Sequence, residues 1–438
     1  MRSTRPRVYA PTFVAFLLFL PGVLSAQRRP SDADVNRAVA QALDTIVAMR
    51  HYIHQHPELG NREFGTAHLV ATYLRGLGLE VDTGVAHTGV VAILHGGRPG
   101  PVVAVRADMD ALPVTEQTDL PFASHVQTMY LGQEVGVMHA CGHDIHTSVQ
   151  LGVATVLAGM RDRVPGTVKF IFQPAEEGPP PGERGGAELM VDEGVMSDAP
   201  VPEAVFGLHA LAQMDVGDVG YTPGPSLAAV DHFYIHIIGK QAHGAQPQFS
   251  IDPVVMSAQA IMALQTIVSR NVHPLQPAVV TVGMVRGGTR FNIIPGDVNM
   301  EGTVRTYDPD VRDLVERRMR EILQGITAAG GGSFELNYER GTPATINNRQ
   351  LTARMLPTLQ RIVGADHVKL LDPTMGGEDF AYFANVVPGF FFRLGQVAPG
   401  TTSGDHHTPT FRADDTSIPI GMRVMTNVLL DYLSGAGQ

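Results

Sequence analysis

The sequence of 438 residues contains a single cysteine, Cys141, and comparatively little positive charge. One cysteine cannot form an intramolecular disulfide bond, so stability has to come from core burial, with bound metal and subunit contacts as further sources. Lysine and arginine total 32 against 43 aspartates and glutamates, which gives a formal net charge of −11. This acidic balance argues against nucleic acid and anionic membranes as partners.

The first 26 residues have the composition of a secretory signal peptide. Three arginines form a basic start, an apolar run follows over residues 13–20, and small residues end the segment at Ala26. We therefore predict a signal peptide over residues 1–26 and export to the periplasm or the extracellular space. Its removal would take the formal charge from −11 to −14, because the segment holds three arginines and no acids. A single membrane anchor is the alternative, but the run is well short of the ~20 apolar residues that span a bilayer.

The remaining chain is longer than one hydrophobic core usually serves, so we expect two domains. Apolar runs at 102–105, 168–172 and 204–208 read as buried strands, and each is followed by polar side chains. Helical periodicity over residues 34–49 and 147–160 alternates with these strands. The pattern predicts an α/β sheet with its site at the carboxyl ends of the strands.

The pattern changes near residue 217, where elements follow in the order β-α-β-β-α-β up to about residue 340. This is the split βαβ, ferredoxin-like arrangement, and it predicts a smaller inserted domain. The predicted organisation is a signal peptide at 1–26, a catalytic domain at 27–216 and 341–438, and a lid and dimerisation domain at 217–340.

The only cysteine lies among metal-ligating residue types. Cys141 and His143 are two residues apart, so both side chains can face one point from an extended turn before a helix, and His139 and His146 flank them. A thiolate among imidazoles is typical of a metal ligand. Further potential ligands come later in the chain, namely Glu176, Glu177, His209, His406 and His407. Together these residues can hold two metal ions and leave one carboxylate for proton transfer.

At this point the chain resembles a known family, the dinuclear-metal amidohydrolases and peptidases that include hippurate hydrolases, N-acyl-amino-acid amidohydrolases and auxin–amino-acid conjugate hydrolases. The matching segments are His54-Gln55-His56-Pro57-Glu58-Leu59-Gly60, Arg106-Ala107-Asp108-Met109-Asp110-Ala111-Leu112-Pro113, the cysteine motif, Gln173-Pro174-Ala175-Glu176-Glu177-Gly178, Asn292-Ile293-Ile294-Pro295-Gly296, Gly376-Gly377-Glu378-Asp379-Phe380 and His407-Thr408-Pro409. The resemblance covers roughly residues 45–434. It implies a catalytic α/β domain with a small lid domain that also dimerises.

The resemblance also implies roles for the metal-site residues. The Cys141 thiolate would bridge two metal ions, and the following His143 would bind one of them. Glu176 would be the general base, whereas Glu177 and His209 would be ligands. The family pattern favours His407 over His406, because the ligand directly precedes a small polar residue and proline.

Other family positions have less definite roles. His243 in the lid would polarise the scissile carbonyl, in many members from the partner subunit, and Asn292 is carried over more weakly as a second lid residue. Asp108 would orient a ligand, while the roles of Asp110 and Glu378 stay open. The proline-rich segment 179–184 is longer than expected after Glu177, and it leaves the specific substrate open.

The pair His54 and His56 admits an alternative, because the same spacing marks the first ligands of the TIM-barrel amidohydrolases. There the pair ends a buried strand, whereas here it follows a helical pattern. We therefore predict a structural or supporting role for it.

The expected protein is an exported metal-dependent amidohydrolase that forms a homodimer and cleaves N-acyl amino acids. The metals and Glu176 would activate water, and the metals with His243 would stabilise the oxyanion. Zinc suits thiolate and imidazole ligands, and manganese or cobalt is compatible with the carboxylate share. A metallocarboxypeptidase or dipeptidase on the same fold is the main alternative. A non-catalytic binding protein is a further alternative, but it would lack the general base or a metal ligand, and the sequence contains all of these residues.

Overall fold

The computed structural model describes Met1, Thr4 and residues 29–436, so the predicted signal peptide falls almost wholly outside the described residues. Among the helices formed by residues 29–436, none is long and apolar enough to cross a membrane. The helices are α1 (Asp32–Gln55), α2 (Phe64–Gly76), α3 (His143–Gly159), α4 (Gly186–Asp192), α5 (Pro253–Thr266), α6 (Pro309–Gly330), α7 (Arg349–Val363), α8 (Phe380–Ala384) and α9 (Ser417–Leu433).

The strands fall into one large sheet, one smaller sheet and several short pairs. They are β1 (Glu80–Val85), β2 (Gly89–His95), β3 (Arg98–Asp108), β4 (Gln127–Tyr130), β5 (Gln133–Gly136), β6 (Pro165–Gln173), β7 (Ala204–Asp215), β8 (Val219–Tyr221), β9 (Gly224–Leu227), β10 (Ala229–Ile238), β11 (Ala242–His243), β12 (Ala278–Gly287), β13 (Ile293–Ile294), β14 (Asp297–Thr306), β15 (Ser333–Arg340), β16 (Thr345–Asn347), β17 (Val368–Leu370) and β18 (Gly389–Val397).

Helix α1 shows how the local sequence sets an element. Ser31 and Asp34 form a capping box at its start, in which each side chain accepts a hydrogen bond from the other's backbone N–H. Val35, Val39 and Ile46 are buried on one face, as the 3.6-residue period predicts. The helix predicted over residues 34–49 is therefore present and extends to Gln55.

The large sheet is mixed, with the strand order β1-β2-β6-β3-β7-β18-β8-β17. Its centre is parallel, because β3 pairs in parallel with β6 and β7, and β7 pairs in parallel with β18. The carboxyl ends of these four strands therefore lie along one edge. The predicted α/β fold is confirmed. Asp108 ends β3 and the two glutamates follow β6 as predicted, but His209 lies within β7, which continues to Asp215.

Both faces of the large sheet are covered by helices. On β6, Phe170 and Phe172 belong to the core beneath α1, α3 and α9, whereas Ile171 belongs to a second core with residues of α4 and α8. A strand buried on both faces is rich in apolar residues, and the sequence of β6 follows this pattern apart from the buried Lys169.

The smaller sheet is antiparallel, with the order β12-β14-β10-β15. Phe233, Ile235 and Ile237 of β10 are fully buried in a core shared with residues of α5 and α6, whereas Tyr234 between them is exposed. This is the predicted split βαβ arrangement. The domain boundaries that we proposed from the sequence stay a prediction; the strands of this sheet lie between Ala229 and Arg340.

Strand β18 was not predicted from the sequence, although it lies near the centre of the large sheet. Its register places Arg393 directly beside His209 of β7. An arginine therefore follows three buried phenylalanines, Phe390, Phe391 and Phe392, at the edge where the predicted site lies.

Candidate metal centre

The turn that carries Cys141 and His143 is shaped by the glycine between them. Gly142 precedes α3 with φ = 92°, a left-handed conformation that favours glycine. A Cβ atom at this position would also lie 3.2 Å from the Cβ of Ala210. The turn lets the chain enter α3 while Cys141 and His143 both remain buried beside the ends of β3 and β7.

Two triads of potential ligands share Cys141. One consists of Cys141, His143 and His209, and the other of Cys141, Glu177 and His407; within each triad the ligand atoms lie within 4.8 Å of one another. All five residues that the sequence suggested as ligands are thus brought together. The arrangement gives a thiolate, three imidazoles and a carboxylate, a donor set that suits zinc and tolerates manganese or cobalt.

The histidine rings of the first triad are held in the orientation that a metal ligand requires. Nδ1 of His143 lies 2.8 Å from the carbonyl oxygen of Asp110, and its Nε2 is buried with no hydrogen-bond partner among the described residues. In His209, Nδ1 lies 2.6 Å from the Ala210 carbonyl oxygen, and Nε2 lies 3.4 Å from the Cys141 sulfur. Burial and the neighbouring His146 hold the pKa of His209 well below its usual range, which keeps the ring neutral. A buried acceptor nitrogen aimed at a thiol fits a bound cation.

The adjacent histidines 406 and 407 have different surroundings. Nε2 of His406 accepts a hydrogen bond of 3.1 Å from the Ala212 N–H, so its other nitrogen carries the proton and faces the Cys141 sulfur at 3.7 Å. Nε2 of His407 lies 3.0 Å from a carboxylate oxygen of Glu177. The φ angle of His407 is 64°, which is unusual outside glycine and common at functional sites. The geometry favours His407 as the ligand.

The two other histidines of the cysteine motif differ from each other in their hydrogen bonds. His146 is bonded on both sides, by Asp108 Oδ1 at 2.6 Å and by the Ala210 N–H at 2.7 Å. His139 is buried, and its two ring nitrogens have no partner among the described residues. Burial lowers the pKa of His139 to about 3, so the ring is neutral.

The His54 and His56 pair does not form a ligand set. Nδ1 of His54 lies 2.9 Å from Asp144 and Nε2 lies 3.2 Å from Glu116, which occupies both nitrogens. His56 is exposed on the surface, with Nδ1 2.8 Å from the Tyr52 carbonyl oxygen. These contacts agree with the supporting role expected from the sequence.

Glu176 lies beside the first triad, with one carboxylate oxygen 3.8 Å from Nε2 of His143. Its side chain is 10% exposed. Burial, together with the negative charges of Glu378 and Glu177, raises the pKa of Glu176 well above its usual range. A buried carboxyl group with a raised pKa is suited to acid–base catalysis.

Arg106 is a structural centre that the sequence indicated only in part. Its buried guanidinium lies 2.7 Å from Asp108, 3.0 Å from Glu378 and 2.9 Å from Asp379. Burial alone would raise the pKa of Asp108, but Arg106 and the neighbouring histidines lower it well below its usual range. Asp108 therefore stays ionised and orients His146. In the sequence, the sign of this role was that Arg106, a charged residue, directly follows the apolar run 102–105.

Asp110 joins the two triads, a role that the sequence left open. Its carbonyl oxygen and Oδ1 lie 2.8 and 3.2 Å from Nδ1 of His143, and its Oδ2 accepts a 2.9 Å hydrogen bond from the Glu177 N–H. It thus positions one predicted ligand from each triad.

A cavity of about 560 Å³ opens over the triads, between the large sheet and the smaller one. Cys141, Glu176 and Glu378 line it on the metal side, and Arg305 and Arg393 bring positive charge to it. Sequence reasoning missed both arginines. An arginine that interrupts the apolar run of β18 was a signal for Arg393, whereas nothing local distinguishes Arg305.

The lid residues expected at the reaction centre lie elsewhere in the single chain. His243 is exposed on β11, where its Nδ1 accepts a 3.0 Å hydrogen bond from the Ala245 N–H, and it is outside the set of described residues that line the cavity. Asn292 lies next to β13, which pairs with β11, and its Oδ1 is buried with no partner among the described residues. In the single chain, the part that the structure describes therefore leaves His243 away from the lining of this cavity.

Comparison with known proteins gives a consistent result. Residues 104–431 match peptidase family M20/M25/M40. The chain is 39% identical over 377 residues to N-acetyl-L-cysteine deacetylase of Bacillus subtilis, covering 85% of this chain and 84% of that protein. It is 40% identical over 359 residues to thermostable carboxypeptidase 1 of Saccharolobus solfataricus, covering 82% and 87%.

A solved structure is also similar over nearly the full length. The crystal structure of the YXEP protein of Bacillus subtilis, described as a dinuclear metal binding peptidase from the M20 family, superposes with a TM-score of 0.74. The two sequences are 34% identical, and the match covers 92% of this chain and 99% of that one.

Proposed function

Because the chain belongs to peptidase family M20/M25/M40 and is a hydrolase that acts on amides, we propose that it cleaves N-acyl amino acids to a carboxylic acid and a free amino acid. One relative is named as a deacetylase of an N-acetyl amino acid, and another as a carboxypeptidase. Both activities break an amide bond next to an amino acid that carries a free carboxylate. They differ in what lies beyond the scissile carbonyl.

The observation that carries this proposal is the pair of triads that share Cys141, with the carboxyl group of Glu176 beside them. We assign His143 and His209 to one metal ion, Glu177 and His407 to the other, and Cys141 to both. Bound divalent ions supply a Lewis acid for the carbonyl and lower the pKa of water. Zinc is the metal we propose first, with manganese or cobalt as alternatives.

The protein's own residues then handle the proton and the orientation of the ligands. Glu176 accepts the proton of the attacking water and returns it to the leaving nitrogen, a cycle that its raised pKa supports. Asp110 fixes the proton of His143 on Nδ1 and so leaves Nε2 as an acceptor. His243 of a partner subunit would stabilise the developing oxyanion.

Arg305 is the group that we assign to the α-carboxylate of the amino acid. It lies on β14, on the opposite side of the cavity from the large sheet, and its Nε donates a 3.1 Å hydrogen bond to Thr303 Oγ1. Gly377 lines the same cavity, and a Cβ atom added to this glycine would lie 3.9 Å from a guanidinium nitrogen of Arg305. A guanidinium binds a carboxylate through two parallel hydrogen bonds, which suits a fixed end of the substrate.

We also propose that the protein is exported and that it forms a homodimer. The basic, apolar and small-residue order of residues 1–26 supports export. Mass spectrometry of the mature protein from its native host should find an amino terminus near Gln27, and an intact Met1 on a cytoplasmic protein would reject export.

The proposed activity is tested with matched substrates. The protein is stripped of metal, reloaded with zinc, manganese or cobalt, and assayed on N-acetyl, N-benzoyl and N-indoleacetyl amino acids and on dipeptides with the same carboxyl-terminal residue. Faster turnover of the N-acyl amino acids supports the amidohydrolase, and faster turnover of the dipeptides supports the carboxypeptidase or dipeptidase. No turnover of either class by any metal-loaded form would reject both.

A further inference from the structure

The guanidinium of Arg393 faces the cavity without a partner. The residue lies midway along β18, next to His209 in the sheet, and lines the same cavity as Cys141 and Glu176. Within residues 29–436, no carboxylate oxygen comes within 4.0 Å of its guanidinium, and no hydrogen bond of that group is found there. The guanidinium carbon lies 5.2 Å from the centroid of the Phe391 ring.

The nearby acids do not neutralise Arg393, because another arginine holds them. Glu378 and Asp379 lie 3.0 and 2.9 Å from Arg106, which is fully buried beneath them. An aromatic face attracts a guanidinium but accepts few of its five N–H groups.

Arg393 is partly buried, and an unpaired cation that is partly withdrawn from water is costly for a fold unless something pairs with it in the working state. Burial lowers the pKa of Arg393, which reports the same cost. The cavity is open to a ligand, and Arg305 already supplies the cation that one carboxylate needs. A second cation in the same cavity therefore indicates a ligand with a second anionic group.

We propose that Arg393 is a specificity-determining residue that binds a second carboxylate of the substrate, so that the preferred substrates are dicarboxylic N-acyl amino acids. This inference rests on the proposed function, in which Arg305 takes the α-carboxylate. The second carboxylate belongs either to an acidic amino acid, as in an N-acyl glutamate, or to the acyl group, as in an N-succinyl amino acid. Both present the same planar anion to the guanidinium.

The test uses substrate pairs that differ in charge and hardly in shape. N-acetyl-L-glutamate is compared with N-acetyl-L-glutamine. N-succinyl-L-glutamine is compared with the analogue in which the free carboxylate of the succinyl group is replaced by an amide. A hydrogen-bonded charge is worth about 1.5–3 kcal/mol, so the KM of the preferred anionic substrate should be about 10- to 100-fold below that of its amide. The pair that shows the difference identifies which part of the substrate carries the second carboxylate.

Variants then assign the preference to this residue. Arg393→Met keeps much of the side-chain length and removes the charge, so it should raise the KM of the anionic substrate to that of its amide while the amide is unaffected. Arg393→Lys should restore part of the preference. Arg37→Met, on the exposed face of α1, removes the same charge far from the cavity and should change neither KM. A purely structural role would affect both members of each pair equally.

Binding is measured separately so that the two proposals can fail independently. Calorimetry on metal-loaded Glu176→Gln protein reports the affinities of the same four compounds without turnover. If the parent protein hydrolyses neither these compounds nor any of the N-acyl amino acids and dipeptides named above, the proposed function fails, and calorimetry alone decides whether Arg393 selects an anion. Equal affinities for the acid and amide of both pairs, or an unchanged preference in Arg393→Met, would overturn the inference.

Discussion

At the scale of single residues, the adjacent carboxylates Glu176 and Glu177 have different surroundings. Glu177 lies 3.0 Å from His407 and belongs to the triad with Cys141, whereas Glu176 lies beside His143 with its pKa raised by burial. Their order in the chain does not distinguish them, but their partners do. The structure therefore supports different functions for the two neighbours.

We predict that Glu176→Gln keeps both metals and loses activity by about 10²–10⁴-fold, because an amide cannot accept the proton. Glu177→Gln should lose metal first and activity as a consequence, since a neutral amide is a weaker ligand than a carboxylate. Excess zinc or manganese should then restore part of the activity of Glu177→Gln and none of that of Glu176→Gln.

Metal analysis of the purified variants, with activity titrated against added metal, checks this prediction. Glu134→Gln, on the exposed β4–β5 hairpin, is the matched control and should behave like the parent protein. A reversed rescue pattern would exchange the two roles.

Not every residue role could be inferred from the sequence. The sequence favoured His407 over His406 because a small polar residue and a proline follow His407. In the structure, the Ala212 N–H donates a hydrogen bond to Nε2 of His406. The pairing of Arg106 with Asp379 joins residues 273 positions apart, and no local pattern reports such a contact. The role proposed for Arg393 could not be inferred from the sequence either, because it depends on the cavity that this residue lines.

At the scale of elements, the site exists because parallel strands end at one edge. Strands β3, β6 and β7 deliver Asp108, the two glutamates and His209 to that edge, and the Gly142 turn adds Cys141 and His143. Apolar segments followed by polar residues predicted these strands, because both faces of each strand are buried. They did not predict β18, because a short apolar run does not reveal which strand it will lie beside.

The end of β3 depends on the charge of Arg106. We predict that Arg106→Met destabilises the protein by about 3–5 kcal/mol, because it leaves Asp108, Glu378 and Asp379 buried without their cation. The free energy of unfolding, measured in denaturant on the metal-free protein, should report the loss. Arg75→Met, at an exposed position of α2, should stay within about 0.5 kcal/mol of the parent. Equal stability of the two variants would show that Arg106 is not needed to compensate these acids.

At the scale of the whole molecule, we propose that a second chain completes the reaction centre. His243 is exposed on the smaller domain and outside the residues described as lining the cavity. The proposed homodimer would bring it from the partner subunit to the oxyanion.

We therefore predict that His243→Ala lowers kcat strongly with an unchanged metal content, because it removes only stabilisation of the transition state. Mixed dimers of His243→Ala and Glu176→Gln should regain activity, since each hybrid has one site with both residues intact. His273→Ala, at another exposed lid position, serves as the control. A fully active monomer, or a mixture without recovery, would contradict the cross-subunit role.

The central claim is that two metal ions share the thiolate of Cys141. Anomalous diffraction at the zinc edge from crystals of the zinc-loaded protein tests it most directly. We predict two peaks about 3.5–4 Å apart, each about 2.3 Å from the Cys141 sulfur, one next to His143 and His209 and the other next to Glu177 and His407. A single peak at full zinc loading, or two peaks that do not both contact the sulfur, would contradict the account.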